Sequence, residues 1–291
     1  MLKLLFPSFV LAINLLLSAV TQAADPAITV STGKSGGGYA AIGERLKTVL
    51  AEQDMKVDLL NSAGSIDNLN RLNDPQSPVN VGLTQADALK YFLKNNPGFA
   101  DKFLILGEIG KECVFIITGA GSGIKEDSEL QKKRGYLIAV PDPNSGVAVT
   151  WEYMAVLEPS FKNTAVAFVD TLEALLQIKS GGEASKIKAA MLVQKPKARS
   201  PGMQVVLENP KDFRFVSVTD WDLNDKLPDG SAVYSFEKVT VEERKWGFDN
   251  SVDTICTRGL LLAAKDKLTS DRRSRLAKVM LLSASRVVGE E

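Results

Sequence analysis

The chain is 291 residues long and carries 35 Lys and Arg against 35 Asp and Glu, a formal net charge of zero. That balance excludes the electrostatic footprint of a nucleic-acid binder or of a protein held on anionic lipid. There is no histidine, which closes Ser-His-Asp and Cys-His hydrolysis, histidine general bases and the commonest zinc ligand. With no nucleophile–base pair in view, the chain reads as a non-enzyme that needs no cofactor or metal. A carboxylate or lysine of strongly shifted pKa in a cleft would reopen the enzyme reading.

The N-terminus sets the compartment. Lys3 gives a positive start, residues 4–20 form an apolar run interrupted by Pro7, Ser8 and Asn14, and Thr21-Gln22-Ala23 offers small residues for processing. The pattern predicts a signal peptide over residues 1–23, cleaved after Ala23. The run is shorter than the ~20 apolar residues of a membrane span. The expected product is a periplasmic protein, since no lipobox cysteine follows, and it is expected to be a monomer. Two cysteines, Cys113 and Cys256, lie in apolar runs. In an oxidising compartment a lone pair fits a disulfide, and buried free thiols are the alternative, because spacing does not fix the geometry.

In chain order, residues 27–31 predict a strand, 39–50 a helix, 56–60 a strand, a helix starting at Ser65, 80–84 a strand and 86–93 a helix. The pattern restarts after Gly119: 135–141 strand, 146–157 helix, 165–169 strand, 171–179 helix ended by Gly181-Gly182, and 189–193 strand. Residues 199–228 are the least periodic and read as loops and short strands. The tail gives a strand at 260–264 and a closing helix over 270–288. Such alternation predicts α/β architecture, with mostly parallel sheets covered by helices in two units of domain size.

Glycine and small polar residues gather where strands hand over to helices, the place at which open α/β sheets bind ligands. The four loops are Thr32-Gly33-Lys34-Ser35-Gly36-Gly37-Gly38-Tyr39, Ala63-Gly64-Ser65-Ile66-Asp67-Asn68, Thr84-Gln85-Ala86-Asp87 and Pro141-Asp142-Pro143-Asn144-Ser145-Gly146. Helix N-termini present unpaired N–H groups and a positive dipole end, so converging loops of this kind hold a carboxylate or phosphate without a basic cluster. Taken singly, Ser65 and Ser145 are equally ordinary helix caps. Gly33-Lys34-Ser35 is not a nucleotide-binding loop: that pattern requires glycine at position 28, which is Ile28.

These segments, in their order and spacing, resemble the TAXI receptors, the solute-binding components of one class of TRAP transporters. The resemblance rests on residues 32–43, Ala63-Gly64-Ser65-Ile66-Asp67-Asn68-Leu69, Val81-Gly82-Leu83-Thr84-Gln85-Ala86-Asp87-Ala88, residues 141–146 and residues 172–193. It departs at Gly38-Tyr39-Ala40, where the family has Thr and two aromatics, and at a tail expected to be shorter than the family's. The resemblance implies a two-lobed periplasmic-binding-protein fold with two hinge crossovers, one lobe from 24–118 plus 254–291 and the other from 119–253. It implies that Gly37, Gly38, Tyr39, Gly64, Ser65, Asn68 and Gln85 face a ligand from the first lobe and Asn144, Ser145 and Gly146 from the second. It further implies a small anionic or zwitterionic solute, of amino-acid or dicarboxylate type, and membrane permease subunits as partners. If Cys113 and Cys256 mark the crossovers, a bridge there ties them together. The competing readings are a receptor of an ATP-driven importer or sensory system, and a surface interaction protein with a vestigial cleft.

Overall fold

A computed structural model describes residues 27–132, 134–181, 185–227, 230–243 and 250–289. The expected signal peptide lies outside these residues. The first part of the chain forms β1 (Ile28–Ser31), α1 (Gly38–Ala51), β2 (Val57–Leu60), α2 (Ser65–Asn73), β3 (Val81–Gln85) and α3 (Ala86–Asn95). A long strand, β4 (Phe103–Gly119), leads through α4 (Asp127–Lys132) into β5 (Leu137–Val140), α5 (Gly146–Leu157), β6 (Ala165–Phe168), α6 (Thr171–Gly181) and β7 (Ile187–Gln194). Then come α7 (Pro201–Glu208), β8 (Phe213–Val216), β9 (Tyr234–Glu242), a second long strand β10 (Asn250–Ala264) and α8 (Ser270–Val288).

The described strands form one ten-stranded sheet in the order β2-β1-β3-β10-β4-β7-β5-β6, with β8 against β4 and β9 against β10. Two similar parallel triplets stand at its ends, β1 between β2 and β3, and β5 between β6 and β7. Each triplet is bordered by an antiparallel long strand, β10 beside β3 and β4 beside β7. The sheet is therefore mixed at its centre, where the sequence pattern led us to expect mostly parallel pairing.

The long strands change neighbours at a shared point. From Phe103 to Cys113, β4 pairs with β10, and beyond it with β7 and β8. The part of β10 before that point pairs with β9, and the part after it with β3 and β4. Cys113 and Cys256 face each other in register at the crossing and are joined by a disulfide. From Cys113 to Ile117 every side chain of β4 is buried, as a strand covered on both faces requires.

Three apolar clusters pack the sheet. One joins α1 and α8 over β1, through Leu46, Leu50, Leu276 and Met280. A second lies under α6 and α7, around Phe115, Leu175 and Met203. The third runs across the middle, placing Leu69, Leu89 and Phe92 of the first half in one cluster with Trp151, Tyr153 and Met154 of the second. Asp87 is buried on this seam. Its Oδ2 accepts hydrogen bonds from Thr150 Oγ1 at 2.6 Å and Tyr234 Oη at 2.9 Å, and its Oδ1 accepts from the Ala88 amide at 2.8 Å. Burial raises its carboxyl pKa, and the hydroxyl and amide donors pull it back only in part.

Residues 199–228 are more regular than their sequence pattern implied, because they contain α7. Ser200 caps it by accepting from the Met203 amide, and Pro201 occupies the first turn, where its missing N–H costs nothing. The strand predicted at 260–264 is the end of the fifteen-residue β10. Helix α8 spans the expected 270–288 but bends at Ser283, whose backbone is not helical. Among the described residues no helix is long and apolar enough to cross a membrane.

Candidate functional site

The two halves enclose a cleft of about 830 Å³. The glycine loop before α1 and the start of α2 line it from one side. The start of α5, the end of β7 and the start of α7 line it from the other, with Glu112 of β4 and the end of α8. The N-termini of four helices, α1, α2, α5 and α7, therefore open onto one space.

Seven of the ten sequence-predicted ligand residues line the cleft: Gly37, Gly38, Tyr39, Gly64, Ser65, Gln85 and Gly146. Asn68, Asn144 and Ser145 do not line it. Asn68 is fully buried. Its Nδ2 donates to the carbonyls of Thr32 and Leu83, both at 2.6 Å, and its Oδ1 accepts from Ser31 Oγ at 2.5 Å, so the amide is spent on tying α2 to β1 and β3. Ser145 is the helix cap of α5: its hydroxyl accepts from the Ala148 amide at 3.2 Å and donates to the Asp142 carbonyl at 2.6 Å. Asn144 is exposed outside the lining.

The halves touch closely along one edge of the cleft. Gly64 has φ +135°, and a Cβ there would lie 3.3 Å from the Gly146 nitrogen. A Cβ on Gly146 would fall 1.9 Å from Gln85 Oε1. Glycine at both positions is what lets the starts of α2 and α5 meet.

A polar group sits at the floor. Ser65 Oγ donates to Gln85 Oε1 at 3.2 Å and accepts from the Gln85 amide at 3.3 Å. Tyr39 Oη donates to Glu112 Oε2 at 3.3 Å. Burial, with the negative charge of Asp87 behind it, pushes the Glu112 carboxyl up to about 7; hydrogen bonds from Tyr39 and Gln85 and the charge of Lys195 pull the other way. Burial and the Glu112 charge likewise raise the Tyr39 phenol well above its ordinary range.

Sequence reasoning missed Glu112. Its signal was a single acid directly before the apolar run 113–117, a charge entering a strand bound for the core. What brings it beside Tyr39 is the crossing of β4 through the sheet, which local pattern does not encode. Four cations also line the cleft: Lys34, Arg45, Lys195 and Arg199. Arg45 donates to the carbonyls of Val287 and Val288 and Lys195 to that of Val288, all at 2.8 Å, so both grip the carbonyl end of α8, where cations are favoured. Arg199 donates to the Val241 carbonyl at 3.0 Å, and Lys34 reaches Asp142 at 3.4 Å across the mouth.

No family model and no curated protein matches this sequence. Solved structures do. XAC2383 from Xanthomonas citri bound to ATP superposes with a TM-score of 0.56 at 11% identity, covering 91% of this chain and 88% of that one. The same protein bound to chloride ion gives 0.54 at 13% identity, covering 91% and 89%. The arginine-, lysine-, histidine-binding protein ArtJ from Geobacillus stearothermophilus gives 0.48 at 12%, covering 89% and 91%. At these identities the likeness is one of fold. The fold is that of the two-lobed periplasmic binding proteins.

Proposed function

We propose that this protein is an extracytoplasmic solute-binding receptor that holds a small anionic or zwitterionic solute between its lobes. The observation that carries this reading is the cleft itself. Its roughly 830 Å³ lies within the range of small-molecule sites, and four helix N-termini with four cations face it. The lobes would be 24–118 plus 254–291 and 119–253. β4 changes neighbours at Cys113, within the strand that carries the first of these boundaries, which supports a crossover there. The predicted signal peptide supports a periplasmic location.

In this reading the loop N–H groups and the cations receive the anionic part of the solute, while Tyr39, Ser65 and Gln85 bind its polar remainder. Binding then shifts an equilibrium between open and closed lobes. The motif order resembling TAXI receptors supports permease subunits of a TRAP-type transporter as the partner. A thermal-shift screen of the purified protein against amino acids, dicarboxylates, sugars and nucleotides tests the reading. A solute at 100 times its dissociation constant adds about 2.7 kcal/mol, a plain rise in melting temperature. Silence across the panel, with no small molecule released on denaturation, sinks it.

A second reading has one observation in its favour. A carboxyl held near 7 in a cleft is what acid–base chemistry uses, so Glu112 supports an enzyme on the same scaffold. Mass spectrometry of the bound solute after long incubation separates the two: a receptor releases it unchanged.

A further inference from the structure

We propose that the solute carries a cationic nitrogen, and that Glu112 is the group that receives it at the floor of the cleft. This deepens the receptor reading and rests on it.

Three observations converge. The first is position. Glu112 lies on the crossing strand directly before the bridged Cys113 and stands in register with Thr257 of β10, so its backbone is held from two sides. The second is an unmet electrostatic need. Among the described residues no cation stands within ion-pair distance of the Glu112 carboxylate, whose donors are the neutral Tyr39 hydroxyl and Gln85 side chain. A carboxylate taken out of water without a counter-ion is costly, and an arriving cation removes that cost. The third is Thr257, whose hydroxyl is buried without a hydrogen-bond partner. Directly paired residues of antiparallel strands share a sheet face, so this hydroxyl lies on the carboxylate's side.

The rest of the cleft has the opposite sign. Lys34, Arg45, Lys195 and Arg199 line it, and the last three direct donors at backbone carbonyls. One negative group at the floor beneath positive walls complements a zwitterion. It penalises a dicarboxylate, which would set a second negative charge against Glu112, and a polyamine, which would meet the cations.

Protonation adds a signature. The groups bearing on Glu112 are Tyr39, Gln85 and Lys195, which favour its ionised form, and Asp87, which opposes it. A cationic nitrogen selects the ionised form, so binding releases a proton near neutral pH. The affinity falls roughly twentyfold from about pH 7.5 to about pH 5.5.

The experiment is titration calorimetry of the purified protein with the common α-amino acids, each beside the carboxylic acid that lacks its amino group. The expected result is that at least one amino acid binds while its deaminated partner binds at least tenfold more weakly. Glu112→Gln then lowers the amino-acid affinity by about tenfold to a hundredfold and abolishes the pH dependence. Glu112→Asp, which keeps the charge, restores part of both. Circular dichroism confirms that each variant is folded. Equal binding of an amino acid and its deaminated partner overturns the proposal and leaves the receptor reading standing, as does undiminished affinity in Glu112→Gln. Binding of neither set, with no small molecule released on denaturation, overturns both.

Discussion

The two edges of the cleft are built of different material. Along the edge where α2 and α3 meet α5, the halves share an apolar cluster, and the buried Asp87 takes hydroxyl donors from Thr150 and Tyr234 across the seam. Tyr91 and Tyr153 stack edge to face there, with centroids 6.3 Å apart, and the Tyr153 hydroxyl reaches Asp225. Along the other edge the halves meet through the exposed Lys34–Asp142 pair and the Lys195 grip on the end of α8. Separating the first edge exposes packed apolar surface and strands buried polar groups, whereas separating the second only wets groups that water satisfies. On the receptor reading, motion belongs to the second edge, with the first as its fulcrum.

The largest expected effect breaks the fulcrum. Asp87→Ala leaves the hydroxyls of Thr150 and Tyr234 without their acceptor in a buried seam, and we expect a loss of about 4 kcal/mol by urea denaturation. A change within experimental error would show that the seam is not the fulcrum.

Next comes a gain. The Glu112 carboxyl is raised in the folded protein, so the folded state binds more protons than the unfolded one between the ordinary 4.5 and about 7, and stability falls as pH rises through that window. Glu112→Gln removes the cost: the variant should be more stable than the parent by about 3 kcal/mol near pH 8 and no more stable near pH 4.5. A melting curve at each pH checks this, and parallel pH profiles would refute it.

Gly146→Ala tests the contact between the starts of α2 and α5. The new methyl collides with the buried Gln85 side chain, and overpacking of this kind costs about 2 kcal/mol. Small-angle scattering should show a larger radius of gyration as the lobes part. The smallest effect is at the open edge: Lys34→Ala, removing a mostly exposed ion pair, should change stability by less than about 1 kcal/mol. A larger loss would mean that this edge carries load as well.

The fold was legible where local pattern decides structure. Helix α5 follows from Ser145-Gly146 and an apolar stretch up to Leu157, and α8 from a Thr269 cap and its spacing of apolar residues. The long strands were not legible in full. The first part of β4 carries Glu108, Lys111 and Glu112 among apolar residues, a mixture that becomes a strand only through its pairing with β10. Helix α7 was missed although Ser200-Pro201 is a start signal, because its eight residues are too few to show a period. Within the site, the loops singled out by composition carry Tyr39, Ser65 and Gln85, which line the cleft. Composition could not tell that the Asn68 amide points inward, since direction is set by the carbonyls of Thr32 and Leu83 waiting for it.

The bridge at the crossing also divides the polypeptide in a way that the lobes alone do not. Cys113 and Cys256 are 143 residues apart, and with the sulfurs joined the intervening chain is a closed ring from which two tails leave. Both tails fold into the half of the sheet that holds β1, β2 and β3. A protease that cuts once inside the ring leaves one covalent molecule, and its fragments separate only after reduction. The same cut between β1 and β4 produces a piece held by packing alone. Damage is therefore tolerated unequally: the ring survives a nick, and the half bearing the glycine loop does not.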